Sequence, residues 1–75
     1  MNVIIVGGGQ VGGYIAGLLI ENGNNAIVIE NKEKALQALK KNGLKKENVL
    51  TYFTSEHFPV FMALDKLRKN KLSFA

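Results

Sequence analysis

Residues 4–19 read IIVGGGQVGGYIAGLL, and the reading of this stretch decides the fold. Val3 to Val6 is an apolar β-branched run that stops at glycine. Such a run predicts a strand buried on both faces, as in a parallel sheet. From Gln10 to Asn22 the apolar residues Val11, Ile15, Leu18 and Leu19 recur at the i, i+4, i+7, i+8 spacing of one helical face. That face is expected to point inward. Gly23 is expected to cap the helix C-terminus.

Working outward, Ala26 to Ile29 predicts a second buried strand, closed by Glu30. Asn31 can N-cap a second helix, with Glu33 favourably placed in its first turn. Leu36 and Leu39 are expected to face inward, Lys40 and Lys41 to sit at the negative end, and Gly43 to stop the helix. Residues 48–53 predict a third strand. Thr54 or Ser55 can cap a third helix, with Val60, Phe61, Leu64 and Leu67 on its inner face and Pro59 in its first turn. The predicted order is β-α-β-α-β-α. With right-handed crossovers this is an α/β half-Rossmann unit, a single domain over residues 1–75 with a three-stranded parallel sheet of order 3-2-1.

Composition narrows the function classes. The chain has 75 residues, 47% of them hydrophobic, too apolar for a disordered segment. It has no cysteine, which excludes disulfides and thiolate zinc sites and fits an intracellular protein. The net charge of +4 is a mild excess, expected to solvate the surface. No apolar run reaches the roughly 18–20 residues of a membrane span, and the N-terminus lacks a signal-peptide pattern, so a cytoplasmic location is expected. His57 is the sole histidine, expected on the surface at a helix start; neither a triad nor a multi-histidine metal site can be built around it. The carboxylates show no paired spacing, and Ser55 and Ser73 lack a G-x-S-x-G setting. No catalytic residue is therefore expected. DKLRKNKL, residues 65–72, reads as the solvated end of a helix. Phe61 reads as core and Phe74 as exposed; Tyr52, Phe53, Phe58 and Phe74 lack the alternation of an RNA-binding sheet, so no nucleic-acid partner is expected.

Gly7, Gly9 and Gly12 satisfy G-x-G-x-x-G. The context strengthens this short pattern: a buried strand precedes it, a helix opens through it, and an acidic residue closes the next strand. Glu30 lies 18 residues beyond Gly12, near the expected spacing of about 20. Gly7 permits the tight turn out of the strand, Gly9 lets a pyrophosphate approach the backbone, and Gly12 lets the helix pack on the sheet. Amides at the helix start, including those of Gln10 and Val11, can donate to phosphate. Glu30 can accept from a ribose diol and repel a 2′-phosphate; Asn31 and Lys32 border the same end of the strand, and Lys32 can reach a 2′-phosphate. The extra glycines Gly8 and Gly13 read as sources of flexibility rather than of contact, Gly13 at a cost of about 1 kcal/mol relative to alanine in a helix.

Residues 1–42, with Gly-x-Gly-Gln-Val-Gly, the Leu-Leu-x-Glu-x-Gly helix end and Val-Ile-Glu closing strand two, resemble the N-terminal nucleotide-binding (RCK or KTN, TrkA-N-like) domain of Trk-type potassium-uptake regulators. The resemblance implies a nucleotide sensor rather than an enzyme. Its implied ligands are NAD(H) or ATP/ADP, and its implied partners are other copies of itself and a membrane potassium channel or transporter. Gly7, Gly9, Gly12 and Glu30 match that pattern by position. Beyond residue 42 the pattern departs: if Pro59 is the family's Asp-Pro proline, Thr54-Ser55 replaces a Gly-Asp pair and Phe58 replaces the Asp. A fragment of an NAD-dependent oxidoreductase and a minimal Rossmann scaffold without a partner share the same first half. With no fourth strand after the third helix, the edge of Val3 to Val6 is expected to be bare, which predicts a homodimer joined through that edge.

Overall fold

The computed structural model describes residues 1–45, 47 and 49–70. The elements are β1 (Asn2–Val6), α1 (Gly9–Glu21), β2 (Asn25–Asn31), α2 (Lys32–Lys41), β3 (Leu50–Thr54) and α3 (Val60–Lys69). The three strands are parallel in the order β1-β2-β3, which is 3-2-1 from the opposite edge. Val6 pairs with Ile29 in register, so the C-terminal ends of β1 and β2 lie side by side.

Side chains alternate across β2 and divide the core in two. Ala26 and Val28 meet Ala16 of α1 and Leu39 of α2, whereas Ile27 and Ile29 meet Ala63 and Leu67 of α3. Helices α1 and α2 therefore share one face and α3 takes the other. Two right-handed crossovers stepping in one direction across a sheet require the shared face. Strand β2 is buried on both faces as expected. Strand β1 is not: Val3, Ile4 and Ile5 are half-buried and Val6 is exposed, because β1 is an edge.

The helix ends follow their local chemistry. Asn31 caps α2, its Oδ1 accepting from the Lys34 amide at 2.9 Å. Helices α1 and α2 close alike: the Gly23 amide donates to Ile20 O and Asn24 to Leu19 O, and the Gly43 amide to Lys40 O and Leu44 to Leu39 O. These are Schellman bonds, with the glycines just beyond the cap. The third helix differs from expectation. Thr54 is held in β3, and Ser55 closes a turn, its Oγ accepting from the Phe58 amide at 3.1 Å. Pro59 is the N-cap rather than a first-turn residue. A proline drives the residue before it out of the helical region, so α3 cannot begin earlier. Asn48, Ser73, Phe74 and the end of the basic run fall outside the described residues.

All three helices are turned relative to the apolar periodicity. In α1 the buried residues are Gly12, Gly13 and Ala16, with Leu19 and Ile20 packed beside them; Val11 is 66% exposed, and Ile15 and Leu18 are each 42% exposed. In α2 Ala35, Ala38 and Leu39 are buried and Leu36 is exposed. In α3 Ala63 and Leu67 are buried over Val60, while Leu64 is exposed and Phe61, expected in the core, is 71% exposed. Small residues let the helix backbones close onto the sheet and onto each other, and the bulkier neighbours are carried outward. Gly13 is the plainest case and corrects its reading as a flexible spacer. A Cβ there would lie 2.9 Å from Ala38 Cβ and from Asn42 Nδ2, so Gly13 is where α1 meets α2.

Candidate phosphate-binding site

The turn from β1 to α1 is built from three successive glycines with positive φ: Gly7 at 68°, Gly8 at 83° and Gly9 at 49°. L side chains rarely adopt this region, which explains the run. The Gly7 amide donates to Ile29 O at 2.8 Å, tying the turn to the end of β2. Gly8 is the N-cap and α1 starts at Gly9, one residue before the expected start.

Gly12 donates to Gly8 O at 3.1 Å, the first bond of the helix. The amides of Gly9, Gln10 and Val11 thus precede the intrahelical ladder and lie at its positive end. A Cβ on Gly9 would meet nothing within 4 Å, so its missing side chain leaves open space beside these donors. A Cβ on Gly12 would lie 2.6 Å from Gly7 O and 3.2 Å from Ile5 Cγ2; its glycine is a packing requirement, as the motif predicts.

Glu30 is brought to this turn from 21 residues away. Its Oε2 accepts from the Gly9 amide at 3.3 Å and its Oε1 from the Asn31 amide at 2.8 Å. Oε2 also lies 3.9 Å from where a Gly7 Cβ would be. The carboxylate is half-buried within β2 rather than just past it. The donor set fits an anion such as a diphosphate, with the helix amides as its cradle and a carboxylate acceptor beside it for a hydroxyl. Asn31 spends its side-chain oxygen on the α2 cap. Lys32 is exposed at the first position of α2. The Gln10 side chain accepts from Lys41 Nζ at 3.0 Å, bracing the start of α1 against the end of α2, and the Val11 side chain points to solvent. The structure thus joins Gly7, Gly9 and Glu30 directly, with Gly12 as the packing point beneath. Sequence reasoning missed Gly8, whose Cβ would crowd the Gly12 amide at 3.1 Å; its adjacency to Gly7 and Gly9 was the available signal.

A family model for the TrkA-N domain matches residues 3–64, most of the chain and all of this site. The chain belongs to the TrkA-N domain family. This is a family of Rossmann-like, nucleotide-binding regulatory domains. No curated protein sequence and no solved structure matches the chain. Among the described residues no helix is long and apolar enough to cross a membrane, and no group of three or more His, Cys, Asp or Glu could hold a metal ion.

Proposed function

We propose that this TrkA-N domain senses an adenine nucleotide, NAD(H) or ATP/ADP, and does no chemistry on it. The observation that carries the reading is Glu30 reaching across to the Gly9 amide at the head of α1. One turn then presents donors for a diphosphate and an acceptor for a ribose diol. The carboxylate opposes a 2′-phosphate, which ranks NADH above NADPH. The same proposal gives the domain other copies of itself and a potassium channel or transporter as partners, at the cytoplasmic face of the membrane. Family membership supports that regulatory role.

Calorimetric titration with NADH, NADPH, ATP and ADP tests the binding. At least one ligand is expected to bind the parent chain, and Gly9→Ala and Glu30→Ala are each expected to weaken it about tenfold or more, on the order of 1.4 kcal/mol. Alanine at the positive φ of Gly9 adds strain of about 1–2 kcal/mol, so a thermal melt should accompany that titration to show the variant folded. If all four ligands fail on the parent, the binding reading falls. If Gly9→Ala binds as well as the parent, the cradle is elsewhere.

A further inference from the structure

Strand β2 turns its even-numbered side chains toward the face that α1 and α2 cover. Ala26 and Val28 meet Ala16 and Leu39 there, and Glu30 continues the row. The row ends beside the glycine turn, so the carboxylate lies between the starts of two helices. Its Oε1 accepts from the amide of Asn31, the N-cap of α2, at 2.8 Å. Its Oε2 accepts from the amide of Gly9, the first residue of α1, at 3.3 Å. The two bonds are unequal: the Asn31 bond has an ordinary length for a strong N–H···O contact, and the Gly9 bond is stretched beyond it. Among the described residues no lysine or arginine pairs with Glu30, so its charge is met by amides alone.

We propose that Glu30 makes the cradle selective for a phosphate that carries a ribose, and that it excludes bare polyphosphates such as inorganic pyrophosphate. This rests on the nucleotide reading above and adds what the site rejects. The Gly9 amide is a donor that a diphosphate would use, and Glu30 already occupies it. No steric wall guards the position, since a Cβ on Gly9 would meet nothing within 4 Å. The competitor is the carboxylate itself. The short Asn31 bond anchors Oε1 at the turn, whereas Oε2 can release the longer Gly9 bond. For a bare diphosphate that exchange leaves two anions side by side with no donor between them, a strongly unfavourable arrangement in a half-buried site. For a nucleoside diphosphate the freed Oε2 accepts from a ribose hydroxyl, so the carboxylate regains a donor as the Gly9 amide passes to phosphate. Selectivity of this kind comes from an unpaired charge set against the wrong ligand rather than from extra contacts to the right one.

Calorimetric titration of pyrophosphate beside the four nucleotides, without divalent metal and at one ionic strength, tests this on the parent and on Glu30→Gln. The parent is expected to bind its best nucleotide more tightly than pyrophosphate. Glu30→Gln keeps the shape and an acceptor oxygen but loses the charge. It is expected to bind pyrophosphate at least about tenfold more tightly than the parent does, and to gain nothing for the nucleotides. A Glu30→Gln variant that is folded by circular dichroism and shows no gain for pyrophosphate overturns the proposal. So does a parent that binds pyrophosphate as tightly as a nucleotide. If the variant unfolds, the parent decides: its Gly9 amide resonance is expected to stay in place with pyrophosphate, and a shift overturns the proposal. The nucleotide reading fails separately. A parent that binds none of the four nucleotides, beside a Glu30→Gln gain for pyrophosphate, removes that reading and leaves the exclusion standing.

Discussion

At the scale of single residues, two helical glycines of α1 should respond oppositely to the same substitution. Helix propensity alone favours alanine over glycine by about 1 kcal/mol at either position. At Gly17 the nearest atom to a new Cβ is Leu44 Cδ1 at 3.7 Å, an ordinary contact, so Gly17→Ala should stabilise by about 0.5–1 kcal/mol. At Gly13 the new Cβ meets Ala38 Cβ, Ala38 O and Asn42 Nδ2 at 2.9–3.0 Å, and part of that wall is backbone. Gly13→Ala should therefore destabilise by about 1–3 kcal/mol as α1 is pushed off α2. Urea denaturation of the pair checks the sign; a stabilising Gly13→Ala would mean that the two helices do not approach this closely.

At the scale of elements, α2 depends on its first turn. Its buried face is only Ala35, Ala38 and Leu39, so terminal bonds matter. Asn31→Ala removes the acceptor of the Lys34 amide and should cost about 1 kcal/mol. Asn31→Asp should retain the cap, and the comparison by thermal melting separates loss of the cap from a general effect at this position. Asn31 was legible from its place before an amphipathic run, as were Gly23 and Gly43 after theirs, because caps are local chemistry. The start of α3 was less legible. Thr54 and Ser55 both have capping side chains, and nothing in their immediate neighbourhood shows that one pairs with Asn31 in the sheet and the other closes a turn. Within α3, Asp65 pairs with Arg68 at 2.8 Å and with Lys69 at 2.9 Å. These cations hold its carboxyl below the usual carboxylate range, the Arg68 hydrogen bond foremost. A depressed folded-state value means that the contribution is present above the ordinary carboxylate range and is lost as pH falls through the lowered one. The pair is exposed, so the effect is small and weakens with salt.

At the scale of the whole molecule, α3 alone covers its face of the sheet among the described elements, and Leu67 is its largest fully buried side chain. Leu67→Ala should cost about 2–4 kcal/mol. A domain of this size typically has only about 4–11 kcal/mol in all, so the urea midpoint should fall steeply. If the chain associates as proposed, the melting temperature of the parent should also rise with protein concentration, because a dimer is favoured by mass action. A melting temperature independent of concentration between about 5 and 200 μM would count against the association.

The sequence by itself determined the order of elements, the parallel sheet and the glycine turn with its neighbouring acid. Each depends on information carried within a short stretch: a β-branched run, three glycines that alone tolerate the turn, an acid at the end of the next strand. The spacing of the motif also groups Gly7, Gly9, Gly12 and Glu30, which the fold brings to one turn. Tertiary structure decided which way each helix faces. Apolar periodicity marks a stripe of large side chains, but the closest packing belongs to the smallest residues, Gly12, Gly13, Ala16, Ala38 and Ala63, which carry little hydrophobic signal. Backbone approach between elements distant in sequence set those contacts, turned Val11, Ile15 and Phe61 outward, and folded the Glu30 carboxylate onto the glycine turn.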